Sequence, residues 1–74
     1  MVPLPNLPGL PADPDDDPGE YVGLDAEGAA ARARARGWTT VRALPPDTVI
    51  TLEYVAGRLN LEVADGVVRR CWKG

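Results

Sequence analysis

The sequence has no histidine and no phenylalanine, and its 74 residues include a single cysteine, Cys71. Each absence closes a route to function. Without histidine there is no Ser-His or Cys-His catalytic pair and no zinc site of the usual Cys/His kind. No cofactor is expected, and the chain is read as a non-enzyme. One cysteine excludes an intramolecular disulfide, although a chain this short buries only roughly 60% of its unfolded surface and such scaffolds often lean on disulfides or metals. With only two Trp and two Tyr, Val, Leu and Ala must fill most of a small core. There is room for one domain at most. No run of about 20 apolar residues is present to cross a membrane. The first residues also lack the basic start and apolar stretch of a secretory signal, so the chain as given is expected in the cytoplasm, or secreted if a signal has been removed.

What is present divides into two parts. Residues 1–20 hold six of the eight prolines and five acids, Asp13, Asp15, Asp16, Asp17 and Glu20, with no base. Each proline removes a donor and fixes φ, so no regular helix or central strand can run through the segment. The expectation is a disordered tail with polyproline II bias, whose deletion to Pro18 leaves the fold intact. Pro5, Pro8, Pro11 and Pro14 have the PxxP spacing that suits an aromatic groove, but Pro-rich tails produce this spacing easily, and a solvated tail is the simpler reading. Residues 21–74 carry eight bases against six acids, a net of +2, so a mildly basic domain follows an acidic tail.

From Tyr21 onward the pattern is that of a folded domain. Asp25 is a good N-cap for a helix over Ala26 to Arg36, with Asp25 and Glu27 at its positive end and Arg34 and Arg36 at its negative end. Gly37 is placed to end it. Ala29, Ala30 and Ala33 give a narrow face able to lie close on a sheet, while Gly28 weakens the helix by up to ~1 kcal/mol. Trp38 to Leu44 reads as a strand. Leu59 to Val63 reads as another, Leu59, Leu61 and Val63 alternating with Asn60 and Glu62. Ala64-Asp65-Gly66 signals a hairpin turn, and Val67 to Trp72 returns as a last strand. Arg32, Arg34 and Arg36 could meet phosphates, yet they do not share one helix face, and a solvated helix in a protein that binds no nucleic acid is the better reading. Cys71 beside Trp72 reads as a small buried hydrophobe.

The run Val49 to Val55 admits two readings. As a strand, it puts Ile50, Leu52 and Tyr54 on one face and Thr51, Glu53 and Val55 on the other. As an exposed apolar loop it marks an interaction site.

The stretch Thr51-Leu52-Glu53-Tyr54 followed by Arg58 resembles the reactive-loop region of the potato inhibitor I family, the eglin-like inhibitors of serine proteases. The likeness covers most of residues 21–74. Tyr21-Val22-Gly23 before a capped helix is similar to that family's opening, Leu44-Pro45 and Thr48 to the lead into its loop, and Arg58-Leu59-Asn60-Leu61 to its exit. The ending is closest to a bacterial and fungal branch that includes elastase inhibitors, of the peptidase inhibitor family 78 type, in which RLN follows the loop and a Cys-Gly lies near the C-terminus. Here Cys71 and Gly74 are separated by Trp72-Lys73. Some relatives pair this cysteine with one near the N-terminus, and this chain has no such partner.

The resemblance implies an α+β fold, one helix packed on a small mixed sheet, with Trp38–Leu44 and Leu59–Val63 parallel and joined by a long exposed reactive-site loop from about Pro45 to Gly57. It implies a monomeric, substrate-like inhibitor of a serine endopeptidase of subtilisin, chymotrypsin or elastase type. The reactive-site loop would comprise Val49, Ile50, Thr51, Leu52, Glu53 and Tyr54, with Leu52–Glu53 as the scissile-like bond and Leu52 as the specificity side chain. Arg58 would brace Thr51 and Glu53, its planar fork suiting a carboxylate. Asn60 stands where many relatives have a second basic support, and would donate as a neutral amide. Taken without the family, Arg58 is equally readable as a solvated charge after a turn. The rival function is a non-inhibitory intracellular interaction module on the same fold.

Overall fold

The computed structural model describes residues 13–48 and 54–74. Helix α1 spans Ala26–Ala35 and begins as its sequence requires, with the Asp25 carboxylate accepting the Gly28 N–H at 2.9 Å. A cap of this kind is worth about 1 kcal/mol. Gly28 has a use here, since a Cβ at this position would lie 2.7 Å from Asp25 Oδ1. At the other end the Trp38 N–H reaches the Ala33 carbonyl at 3.1 Å and the Gly37 N–H reaches Arg34 at 3.2 Å. This paired closure needs a left-handed residue, supplied by Gly37 at φ 107. It also turns the chain so that Trp38 enters the core beside Ala33.

Among the described residues three strands follow: β1 (Thr40–Leu44), β2 (Arg58–Ala64) and β3 (Val67–Lys73), in the spatial order β1-β2-β3. β1 and β2 are parallel, Thr40 lying opposite Arg58 and Leu44 opposite Glu62. β2 and β3 form a hairpin closed by Asp65 and Gly66, both at positive φ (53 and 76), the arrangement a type I′ turn demands. The expected α+β class with a mixed sheet is therefore observed. The first strand starts at Thr40 and not at Trp38, because Trp38 belongs to the turn that closes the helix. The outer edge of β3 is covered by the segment before the helix. The Gly23 N–H donates to Val68 at 2.8 Å, the Val68 N–H to Leu24 at 2.9 Å, and the Ala26 N–H to Gly66 at 2.9 Å. No helix among the described residues is long and apolar enough to cross a membrane.

Ala29 and Ala33 are buried and meet Tyr21, Trp38, Leu59, Leu61 and Val68 in one cluster, with Cys71 half-buried at its margin. Ala30 is only partly covered. Along β2, Leu59 and Leu61 are buried as the alternation predicts, but Arg58 and Asn60 on the opposite face are buried too. β2 is the central strand, and its first half is covered on both faces.

The tail expected over residues 1–20 lies only in part within the described residues. Residues 1–12 lie outside the described residues, whereas residues 13–20 are fastened to the domain. Asp17 accepts the Gly19 N–H at 2.9 Å and caps a 3-10 helix over Pro18–Tyr21. Asp16 accepts from three donors: the Tyr21 hydroxyl, Trp38 Nε1 at 2.9 Å and Arg36 Nη1 at 2.9 Å. Its side chain is only 8% exposed. Arg36 binds Glu20 as well, at 2.6 Å, and lies over the Tyr21 ring. The physical reason is plain: a buried Tyr hydroxyl and a buried indole N–H each need an acceptor, and a carboxylate serves both.

Burial works against the charge on Asp16, but hydrogen bonds from Tyr21, Trp38 and Arg36 outweigh it and hold the carboxyl below its usual range. Burial, reinforced by Asp16, pushes Tyr21 up to about 12. Burial, with the charges of Asp16 and Asp17 behind it, pushes the Cys71 thiol up to about 12 as well. Cys71 thus stays protonated at neutral pH and acts as an apolar side chain.

Two predictions follow from this network. Asp16→Ala leaves the Tyr21 and Trp38 donors unpaired at about 1–2 kcal/mol each, so the loss should be about 2–4 kcal/mol, or roughly 8–32 °C in Tm; deletion of residues 1–18 should cost at least as much. A Tm within 3 °C of the parent, on the order of 0.5 kcal/mol, would remove Asp16 from the account. Tm should also depend on pH on both sides of neutrality. Asp16 is depressed, so its contribution is present above the unfolded carboxyl value of about 4 and is lost as pH falls through the folded value. Cys71 and Tyr21 are raised, so theirs is present below the unfolded values of about 8.5 and 10 and is lost as pH climbs through about 12. Melting curves of Cys71→Ser should show the onset of alkaline loss moving from about pH 8.5 towards 10.

Candidate functional site

The chain between the parallel strands runs over residues 45–57 and is the segment the sequence singled out. Of the expected loop residues, Val49, Ile50, Thr51, Leu52 and Glu53 lie outside the described residues, and Tyr54 lies within them. The geometry on the page is that of the two arms.

The leading arm turns sharply after β1. Pro46 fixes its own φ, Asp47 takes a left-handed conformation at φ 64, and the Thr48 hydroxyl donates back to the Pro45 carbonyl at 2.6 Å. Two prolines followed by Asp are turn residues, and here they end β1 as the sequence indicated.

The trailing arm is held from several directions. Gly57 adopts φ 79 within a turn in which the Arg58 N–H reaches the Val55 carbonyl at 3.2 Å. The Gly57 carbonyl accepts the main-chain N–H groups of Thr39 and Thr40 at 3.0 and 3.2 Å and the Thr39 hydroxyl at 3.2 Å. The Gly57 N–H donates to Asp13 Oδ1 at 2.9 Å, and Asp13 Oδ2 accepts the Tyr54 hydroxyl. These bonds, the Tyr54 one first, hold the Asp13 carboxyl below its usual range, with Lys73 adding to the effect against a small burial cost. Tyr54 is raised in return, through the same hydrogen bond. Tyr54 is 58% exposed, and its ring lies against Gly74, where a Cβ would lie 2.5 Å from Tyr54 Cδ2.

Arg58 is not a solvated charge. It is 9% exposed, and its Nε and Nη2 both donate to the Gly74 carbonyl, at 2.9 and 2.5 Å. The Gly74 N–H returns a bond to the Arg58 carbonyl at 2.9 Å. The bracing of Thr51 and Glu53 expected of Arg58 involves residues outside those described. Asn60 is fully buried and its described bonds serve the sheet: Oδ1 accepts Arg42 Nε at 2.9 Å and Nδ2 donates to the Trp72 carbonyl at 3.2 Å. A buried amide must find partners near at hand, and Asn60 finds them on both neighbouring strands.

Of the site residues named from the sequence, Tyr54, Arg58 and Asn60 lie among those described, and their partners Asp13, Arg42 and Gly74, with Thr39 on Gly57, were not named as such. Arg42 is recoverable in hindsight once β1 and β2 are set in parallel, which places it opposite Asn60. Nothing in the run Asp13-Pro14-Asp15-Asp16-Asp17 separates Asp13 from its neighbours.

The sequence model of the peptidase inhibitor I78 family matches residues 19–71. The chain belongs to the peptidase inhibitor I78 family. No curated protein matches it. As an I78 protein it is a peptidase inhibitor by family, with a peptidase as its implied partner. The I78 match spans β1, the connecting segment and β2, together with Arg58 and Asn60. Asp13, Asp16 and Gly74 lie beyond it, so the bonds they make to the trailing arm and the core are features of the flanks of this chain.

Arg58→Ala should therefore weaken the trailing arm. Hydrogen bonds to a charged group are worth about 1.5–3 kcal/mol, so Tm should fall by roughly 6–20 °C, with faster amide exchange at Gly74. Arg58→Lys should recover part of the loss, because an ammonium reaches the carbonyl but lacks the planar fork. Unchanged Gly74 exchange in Arg58→Ala would contradict the assignment.

Proposed function

We propose that this I78 protein is a substrate-like, reversible inhibitor of a serine endopeptidase of subtilisin, chymotrypsin or elastase type, with Leu52–Glu53 as its reactive bond and an eglin-like relation between loop and sheet. The observation that carries the reading is the placement of that bond between adjacent parallel strands. The chain before it supplies Tyr21, Ala29, Ala33 and Trp38 to the core, and the chain after it supplies Leu59, Leu61 and Val68. Cutting the bond leaves two segments joined by the β1–β2 ladder and by one shared cluster of apolar side chains.

This arrangement suits inhibition for three reasons. A loop that enters the protease cleft in extended form pairs its backbone with the enzyme as an added strand. Arms fixed beforehand reduce the ordering cost of that encounter. After attack on the Leu52 carbonyl, the new amine of Glu53 stays beside the acyl group, where religation competes with water because the reacting groups are held at high effective concentration. Leu52 would fill the enzyme's primary pocket. Asn60 would support the loop indirectly, by locking β1 to β2 and β3 beneath it. The same fold used as a non-inhibitory module would bind a partner without this chemistry.

A panel of serine proteases tests the reading. The parent should inhibit at least one enzyme that prefers medium apolar residues. Leu52→Arg should shift inhibition towards trypsin-like enzymes while changing stability by no more than ~0.5 kcal/mol, as for an exposed site. Rapid cleavage of the parent after Leu52 with no inhibition, or unfolding of Leu52→Arg, would sink it and leave the interaction module standing.

A further inference from the structure

We infer that Asp13 is a positioning residue of the inhibitor, an N-terminal carboxylate that clamps the trailing arm of the reactive loop by bonding Tyr54 and Gly57 together. The inference rests on the proposed inhibitory role of that loop and adds a part to it that lies outside the span matching the family.

The geometry is specific. One oxygen of Asp13 takes the Tyr54 hydroxyl and the other takes the Gly57 main-chain N–H at 2.9 Å. The two donors lie on either side of Val55 and Ala56, so a single carboxylate spans the whole arm from the residue after Glu53 to the residue before Arg58. Gly57 is also held on its carbonyl side by Thr39 and Thr40, which leaves its peptide little freedom. Tyr54 is trapped between Asp13 at its hydroxyl and Gly74 against its ring. Gly74 is in turn fixed by the Arg58 guanidinium. Asp13 and Arg58 therefore act on one unit: the carboxylate secures the outer end of the arm, and the guanidinium secures the surface on which Tyr54 rests. Asp13 is itself kept in place by its neighbour Asp16, three residues on, whose bonds to Tyr21 and Trp38 anchor the segment to the core.

In the religation scheme the clamp has a direct consequence. The amine released on cleavage belongs to Glu53, and Tyr54 is its immediate neighbour. Fixing Tyr54 limits how far that amine can swing from the acyl group, and losing the clamp lowers the effective concentration on which religation depends. Asp13 should thus affect cleavage far more than folding, because its contacts lie outside the apolar cluster.

The test compares the parent, Asp13→Ala, Asp13→Asn, Tyr54→Phe and the Asp13→Ala/Tyr54→Phe double variant, using the full chain. Mass spectrometry with a stoichiometric amount of an inhibited protease reads cleavage after Leu52, amide exchange reads the Gly57 N–H, and melting reads the fold. Asp13→Ala should be cleaved at least roughly tenfold faster, a change of about 1.4 kcal/mol, with Gly57 exchange accelerated and Tm lowered by less than about 8 °C, as for loss of the Gly57 bond at about 1 kcal/mol with an exposed Tyr54 bond that adds little. Asp13→Asn, which can still accept, should fall between. Asp13→Ala and Tyr54→Phe should be non-additive in the double variant, as partners in one contact are. Parental Gly57 exchange in Asp13→Ala would overturn the clamp, and this readout needs no protease, so it stands apart from any failure of the inhibitor reading. Accelerated exchange with parental cleavage would overturn the role in inhibition while leaving the inhibitor itself intact.

Discussion

The fold depends on one nearly buried carboxylate. Asp16 accepts from a tyrosine hydroxyl just after it in the chain and from an indole N–H and a guanidinium at the end of the helix. In a chain without phenylalanine, Tyr21 and Trp38 are the large side chains that fill the core, and each brings a polar atom that cannot be left unpaired at such depth. Asp16 resolves that conflict, and in doing so ties the N-terminal segment to the C-terminal end of the helix. A domain this small has little stability in reserve, so one such group has a large share in its folding.

The same segment also reaches the connection between β1 and β2. Asp13 lies on the trailing arm of the β1–β2 connection, and Arg58 holds Gly74 beneath Tyr54. Both sets of bonds are made by polar groups outside the apolar cluster. The core joins the two halves of the chain, while the polar contacts hold the described residues 54–57 at the end of the connection. The proposed substrate-like inhibition calls on both: halves that stay together if the bond is cut, and arms held in place when it is.

Local signals in the sequence were enough for the regular elements. Asp25 and Gly37 bracket the helix by capping chemistry that acts within a few residues, and Asp65-Gly66 fixes its hairpin in the same way. Arg58 and Asn60 were legible as residues of interest, though their partners were not, because those partners are Gly74, Arg42 and the Trp72 carbonyl, set by strand register and not by spacing. The bonds of residues 13–20 to the domain were not legible in the acidic segment, for a physical reason. Prolines and acids in sequence argue against a core, and that argument holds for the apolar surface such residues can bury. It does not register that a core made of Tyr and Trp requires an acceptor, and that an acid run beside Tyr21 is where one lies closest.

The central claim is that cleavage of Leu52–Glu53 is reversible because the scaffold keeps the two ends together. Protein cleaved at that bond, separated from the intact form and returned to a catalytic amount of a protease it inhibits, measures this directly. The account predicts that intact chain reappears on mass spectrometry, and that the ratio of intact to cleaved protein converges to one value from either starting form. Cleaved protein that stays cleaved, while its two segments remain associated, would contradict it.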